Sequence, residues 1–134
     1  MCRIHQYTML CAPIPSQYAG IEALKTGFDT DFDDVRRMVD AYDRRRRLLV
    51  EGFREAGLPC HEPLGAFYVF PSIQNTGMDS EAFCEALLYR QKVATVPGNA
   101  FGTLGEGHIR CSAASSNANI LTAIDRIKAF TQAL

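Results

Sequence analysis

Apolar and polar positions along the chain follow two different periods, and each change of period marks an element boundary. The first fourteen residues mix both types without a clear repeat, and Pro13 and Pro15 break them off from the next segment. With Ser16 as a possible N-cap, Tyr18, Ile21 and Leu24 recur every third residue until Gly27, which predicts a short helix. From about Asp31 to Ala56 the residues Val35, Met38, Val39, Tyr42, Leu49 and Phe53 fall on one stripe, which predicts a long amphipathic helix. Asp31, Asp33 and Asp34 crowd its first turn, where the macrodipole favours anions, and Gly57 with Pro59 closes it.

The period then shortens. Ala66-Phe67-Tyr68-Val69-Phe70, bounded by Gly65 and Pro71, predicts a buried strand. Asp79 or Ser80 caps a helix with Ala82, Phe83, Ala86 and Leu87 on its apolar face, ending near Gln91. Val93 to Val96 predicts a second strand, cut by the Pro97-Gly98 turn, and His108 to Ala113 predicts a third. A last helix begins near Ser115 or Ser116 and carries Ile120, Leu121, Ile124 and Ile127 at helical spacing. The expected fold class is α/β in a two-layer, α+β-like form: a small mixed β-sheet packed by helices, in the order α-α-β-α-β-β-α.

Composition narrows the function classes. With 134 residues and 47% hydrophobic content, the chain can build one core, and no repeat or linker divides it. Fourteen Lys and Arg against fifteen Asp and Glu leave a net charge of -1, without the basic footprint of a nucleic-acid binder. No apolar run approaches the roughly 20 residues that span a bilayer, and the N-terminus lacks a signal-peptide pattern. Five scattered cysteines, never as C-x-x-C, are expected to be reduced thiols of a cytoplasmic protein. His5, His61 and His108 have no ligand spacing, so no metal site is expected.

Three features could carry chemistry. Arg44 to Arg47, with Arg36 and Arg37, suggests an anion groove; yet four consecutive helical residues point all round the helix, and Asp40, Asp43, Glu51 and Glu55 lie at pairing distance, so a salt-bridged face is the better reading. The glycine-rich loop Pro97-Gly98-Asn99-Ala100-Phe101-Gly102 and its continuation to Gly107 opens a strand rather than a helix, which suits a loop over a site better than a phosphate cradle. Arg110 alternates with Ile109 and Cys111 in the third strand. Its guanidinium is a bidentate fork for a carboxylate, and the competing reading is an edge-strand arginine in solvent.

Three stretches in order, Gly65-Ala66-Phe67-Tyr68-Val69-Phe70-Pro71, Val93 to Gly102 and Gly107-His108-Ile109-Arg110-Cys111-Ser112-Ala113-Ala114, resemble the C-terminal part of class I/II aminotransferases, the fold-type-I enzymes that use pyridoxal phosphate. Gln6-Tyr7 and Cys11 to Ala19 resemble the family's segment leading out of the large domain. The resemblance implies residues 1–30 as the connection from an absent large domain and 31–134 as the small domain. It implies a C-terminal part of an enzyme, within the aspartate/aromatic group, that transfers an amino group between an amino acid and a 2-oxo acid. Arg110 matches the family arginine for the substrate α-carboxylate, Phe67 an aromatic position near the substrate side chain, and Pro97 to Gly102 the segment covering the site. The alternative is a non-catalytic interaction or regulatory module derived from such an enzyme.

The family holds pyridoxal phosphate on a lysine in an S-x-x-K or S-K segment followed by G-x-R-x-G. Lys25, Lys92 and Lys128 lack that context, so no catalytic, cofactor-binding or metal-binding residue is assigned. Pyridoxal phosphate is expected in a complete enzyme and none for this chain alone. Because cofactor attachment needs a positioned, pKa-tuned amine, the purified chain is expected neither to bind pyridoxal phosphate specifically nor to transaminate. Cofactor titration checks this: an absorbance band that survives dialysis and maps to one lysine contradicts it.

Overall fold

A computed structural model describes residues 2–9 and 11–134. The chain forms two compact units, 1–39 and 40–134. The first holds α1 (Cys2–Thr8), α2 (Ile14–Asp29) and the start of α3 (Asp33–Glu55), which continues into the second. The second adds β1 (Tyr68–Val69), α4 (Ser80–Gln91), β2 (Val96–Pro97), β3 (Ile109–Ser112) and α5 (Asn117–Gln132). Helical 3-10 turns occur at Gln74–Thr76, Gly98–Phe101 and Thr103–Gly105.

The first unit departs from the sequence pattern in three ways. α1 forms where no repeat is legible, and none of its described residues is buried. α2 starts at Ile14 behind Pro13, with Pro15 in its first turn where a missing N–H costs nothing, so Ser16 is inside the helix and is not its cap. Gly27 does not stop α2 either. It is buried in the helix because the Phe32 ring lies against it: a Cβ there would come within 2.3 Å of that ring. The break falls instead at Asp31 and Phe32, both with positive φ, and α3 begins at Asp33.

In the second unit, the apolar stripe of α3 works only where it meets a core. Leu49, Val50 and Phe53 are buried, whereas Val35, Met38 and Val39 of the same stripe are exposed. The buried cluster joins Leu49 and Phe53 to Phe83 and Leu87 of α4, to Ile120, Ile124, Ile127 and Phe130 of α5, and to Val69, Ile109 and Ala113 of the sheet. Phe83 and Phe130 meet edge to face at 5.3 Å. Both predicted caps of this unit are present: the Asp79 carboxylate accepts from Ala82 N at 2.7 Å, and Ser116 Oγ accepts from Asn119 N at 3.2 Å.

The sheet has three strands in the order β1-β3-β2. Tyr68 pairs with Ser112 and Val69 with Cys111, while Val96 pairs with Arg110 and Pro97 with Ile109, all antiparallel. The expected small sheet with helices is therefore present, but its strands are antiparallel throughout rather than mixed. The strands are also shorter than their apolar runs. Ala66, the first residue of the first run, has φ +63°, so the strand starts only at Tyr68, and of that run only Val69 is buried. Pro97 lies on an edge strand, where its missing N–H leaves no ladder bond unmade.

The arginine run resolves into one buried member and its exposed neighbours. Arg46 donates to Asp43 Oδ1 at 2.7 Å, Glu62 Oε1 at 3.0 Å and the Pro63 carbonyl at 2.9 Å, and its hydrogen bonds hold both carboxyls below their ordinary pKa range. Arg47 shares Asp43, and Arg45 donates to Asn117 Oδ1. A salt-bridged face is what forms, with Asp43 rather than Asp40 or Glu51 as its hub.

Where α3 crosses α5, Gly52 leaves room for Ile124, and a Cβ on it would stand 2.5 Å from the isoleucine Cδ1. Gly52→Ala is expected to cost about 1–3 kcal/mol by overpacking, in spite of alanine's better helix propensity. Urea denaturation measures it, and an unchanged or raised midpoint contradicts the close approach.

Candidate functional site

Strand alternation places Ile109 and Ala113 in the core and sends Arg110 to the opposite face of the sheet. There two aromatic rings stand against its guanidinium. Its central carbon is 4.4 Å from the Tyr68 ring centroid and 4.5 Å from that of Phe101. Tyr68 arrives from the neighbouring β1, and Phe101 from the 3-10 turn just after β2. β3 is the central strand, so Arg110 is neither on an edge nor surrounded by empty space.

Two rings against the guanidinium cover it with hydrocarbon and leave its N–H groups to a partner. Arg110 takes part in none of the ion pairs among the described residues. Arg46, by contrast, spends its donors on two carboxylates and a carbonyl. An aromatic frame costs the guanidinium no charge and holds its plane, so the open edge is aimed rather than mobile. Such an edge matches a planar carboxylate through two parallel hydrogen bonds.

The rings continue on either side. Phe67 lies 4.4 Å from Tyr68 and 5.6 Å from Tyr42, so it stands one ring away from Arg110. Phe70 meets Phe101 at 6.3 Å and stacks on His108 at 5.3 Å. Within the loop, Gly98 is buried and its N–H donates to the His108 carbonyl at 2.8 Å. A side chain at Gly98 would come within 2.1 Å of the Gly105 carbonyl oxygen, so the two passes of the loop touch backbone to backbone. Gly102, at φ +122°, turns the chain after Phe101, and Ala100 is exposed. Asn99 donates to Glu81 of α4 at 3.2 Å. Of the predicted loop residues, Phe101 alone stacks on the guanidinium. Tyr68, unnoticed as a site residue in the sequence, is the other wall; its only signal was membership in an aromatic strand.

A cavity of about 510 Å³ opens beside β3, lined by Phe53, Val93, Cys111, Ile120 and Ile127 and by Arg110 itself. Apart from Arg110, its polar lining is largely engaged: Thr95 bonds Cys84 Sγ, Asn119 bonds Ser115, and Arg126 and Lys92 donate to backbone carbonyls. Burial pushes the Cys60, Cys84 and Cys111 thiols up, so they stay protonated at neutral pH and are poor nucleophiles. Among the described residues no three His, Cys, Asp or Glu side chains gather where they could hold a metal ion.

The family described as aminotransferase class I and II matches residues 3–127. The chain belongs to this family. YugH of Bacillus subtilis (strain 168), named as an aminotransferase, is 52% identical over 130 residues, covering 97% of this chain and 33% of the relative. The aspartate aminotransferase of Pyrococcus abyssi (strain GE5 / Orsay) is 41% identical over 128 residues, covering 96% and 32%. Among solved structures, the aromatic aminotransferase from Pyrococcus horikoshii OT3 superposes with a TM-score of 0.90 at 38% identity, over 98% of this chain and 34% of that one. The chain thus spans about a third of the length of the relatives it matches. As an aminotransferase segment it has the family's small sheet and helices, and no helix among the described residues is long and apolar enough to cross a membrane.

The lysines do not fit the pyridoxal phosphate of the family. Lys128 is paired with Glu55, Lys92 donates to the Tyr89 carbonyl at the end of α4, and Lys25 is exposed on α2. Lys92 and Lys128 are engaged and Lys25 is in solvent, whereas attachment of a carbonyl cofactor requires an unpaired, positioned amine in a pocket.

Proposed function

We propose that this chain is the substrate-carboxylate-binding part of a pyridoxal-phosphate-dependent aminotransferase that moves an amino group from an amino acid to a 2-oxo acid. The observation that carries the reading is the guanidinium of Arg110, held against the Tyr68 and Phe101 rings and without an ion-pair partner among the described residues. Its part of the work is recognition. Arg110 takes the α-carboxylate edge-on, Phe101 and Tyr68 keep the fork in plane, and Phe67 extends the aromatic surface toward the substrate side chain. The loop from Pro97 to Gly102 covers the bound acid and limits its exposure to water. Residues 1–30 serve as the connection to a large domain and 31–134 as the small domain. The carbanion chemistry belongs to a cofactor that these residues do not hold, and the protein is cytoplasmic.

In a complete enzyme carrying this segment, Arg110→Lys keeps the charge and loses the fork. The expected loss in kcat/KM is about 10- to 150-fold, the worth of one charge-assisted bond of roughly 1.5–3 kcal/mol. Steady-state kinetics with a panel of amino-acid donors measures it. Unchanged kcat/KM with every donor makes Arg110 an ordinary surface residue.

The N-terminal unit supports a proposal about assembly. Ile4, Tyr7, Met9, Tyr18, Ile21, Leu24 and Phe28 are all exposed large apolar side chains; Leu10, expected with them, lies outside the described residues. A surface of this kind favours self-association through the N-terminal segment. Among the described residues every buried core hydrophobic lies at Leu49 or beyond, so a chain starting at Thr30 keeps that core. Analytical ultracentrifugation with circular dichroism is expected to find the full chain associated and the shorter one folded and monomeric. A monomeric full chain, or an unfolded shorter one, contradicts this.

A further inference from the structure

Phe101 is held over Arg110 by a loop with few apolar anchors of its own: Leu104 is 96% exposed, and Phe101 itself is 53% exposed. What fixes the loop is polar. Glu106 reaches back to α4, where its Oε1 accepts from Ser80 N at 2.8 Å and from Gly107 N at 3.0 Å. The fully buried Ser80 Oγ returns the contact, accepting from Gly107 N at 2.9 Å and His108 N at 3.3 Å. The carboxylate sits at the positive end of the α4 dipole, and its two N–H donors hold it below the ordinary glutamate range, so it is ionised at neutral pH.

These bonds close the loop at both ends. Gly107 takes φ +75°, and Ile73 N donates to its carbonyl at 2.8 Å, while Gly98 N donates to the His108 carbonyl. The chain leaving the clamp at His108 therefore enters β3 two residues before Arg110, and the chain entering the loop at Gly98 reaches Phe101 three residues later. Asn99, bonded to Glu81, ties the same turn to the same end of α4.

We propose that Glu106 and the Ser80 hydroxyl are positioning residues for Arg110: by clamping the 98–108 loop to the first turn of α4, they set the Phe101 ring against the guanidinium and so fix its carboxylate-binding edge. This rests on Arg110 as the carboxylate receptor. The test uses the full chain and reads the Arg110 Nε–Hε resonance by NMR, assigned through its loss in Arg110→Lys. In the ligand-free protein, Glu106→Ala and Ser80→Ala are each expected to reduce the ring-current displacement of that proton. Glu106→Gln, which keeps an oxygen acceptor, retains most of it, and Leu104→Ala leaves it unchanged. With 2-oxoglutarate as probe, the two alanine variants are expected to bind about two- to fivefold more weakly, the worth of one exposed cation–π contact. A purely structural role would lower the melting temperature and leave the proton where it is. A folded Glu106→Ala with an unshifted proton overturns the clamp; should Glu106→Ala not fold, an unshifted Ser80→Ala overturns it. Failure of 2-oxoglutarate to move the wild-type resonance counts against the carboxylate reading instead, and the ligand-free comparison still decides the clamp.

Discussion

A strand hydrogen-bonded on both sides has its residues fixed in direction, and β3 is that strand. Tyr68 and Val69 lie along one edge, Val96 and Pro97 along the other. Ile109 and Ala113, with no exposed surface, pin one face of β3 to the core. Arg110, between them in sequence, is thereby forced to the opposite face, and displacing it would mean lifting two buried side chains out of contact. Everything proposed for the chain depends on that constraint. The rings of Tyr68 and Phe101 hold the guanidinium in plane, but β3 decides where the plane is.

Two arginines of this chain show how environment divides one residue type into different roles. Arg46 is nearly out of solvent and fully bonded to Asp43, Glu62 and the Pro63 carbonyl, so it ties α3 to the segment before β1 and has little left to offer a ligand. A buried charge removed from such a network leaves its partners unpaired, and its role is structural. Arg110 is half-buried by hydrocarbon instead. Aromatic faces strip it of water without neutralising it, which raises its attraction for an incoming anion. The crowded arginine run is the more conspicuous signal in the sequence, and the solitary Arg110 is the one set against two aromatic rings.

Local rules made the second unit legible. The Asp79 and Ser116 caps, the end of α4 at Gln91 and the position of β3 arise from side chains acting within a few residues. What escaped was set by contacts across the chain. Gly27 reads as a stop until Phe32 is seen covering it, and Val35, Met38 and Val39 read as a core stripe although they are exposed. Phe101, thirty-three residues after Tyr68, meets the same guanidinium, and no spacing encodes such a convergence. Glu106 was hidden for the same reason: its partner Ser80 lies 26 residues earlier. The motifs carried the family because they preserve order and turn chemistry, whereas the geometry of the site comes from the sheet register.

The most direct measurement of Arg110 as the carboxylate receptor is a crystal structure of the chain grown with saturating 2-oxoglutarate. The expected result is a carboxylate lying in the plane of the Arg110 guanidinium, between unmoved Tyr68 and Phe101 rings, with two N–H bonds of about 2.7–2.9 Å. An acid seated in the cavity beside Cys111 and Ile120, with nothing at the Arg110 edge, would contradict that role.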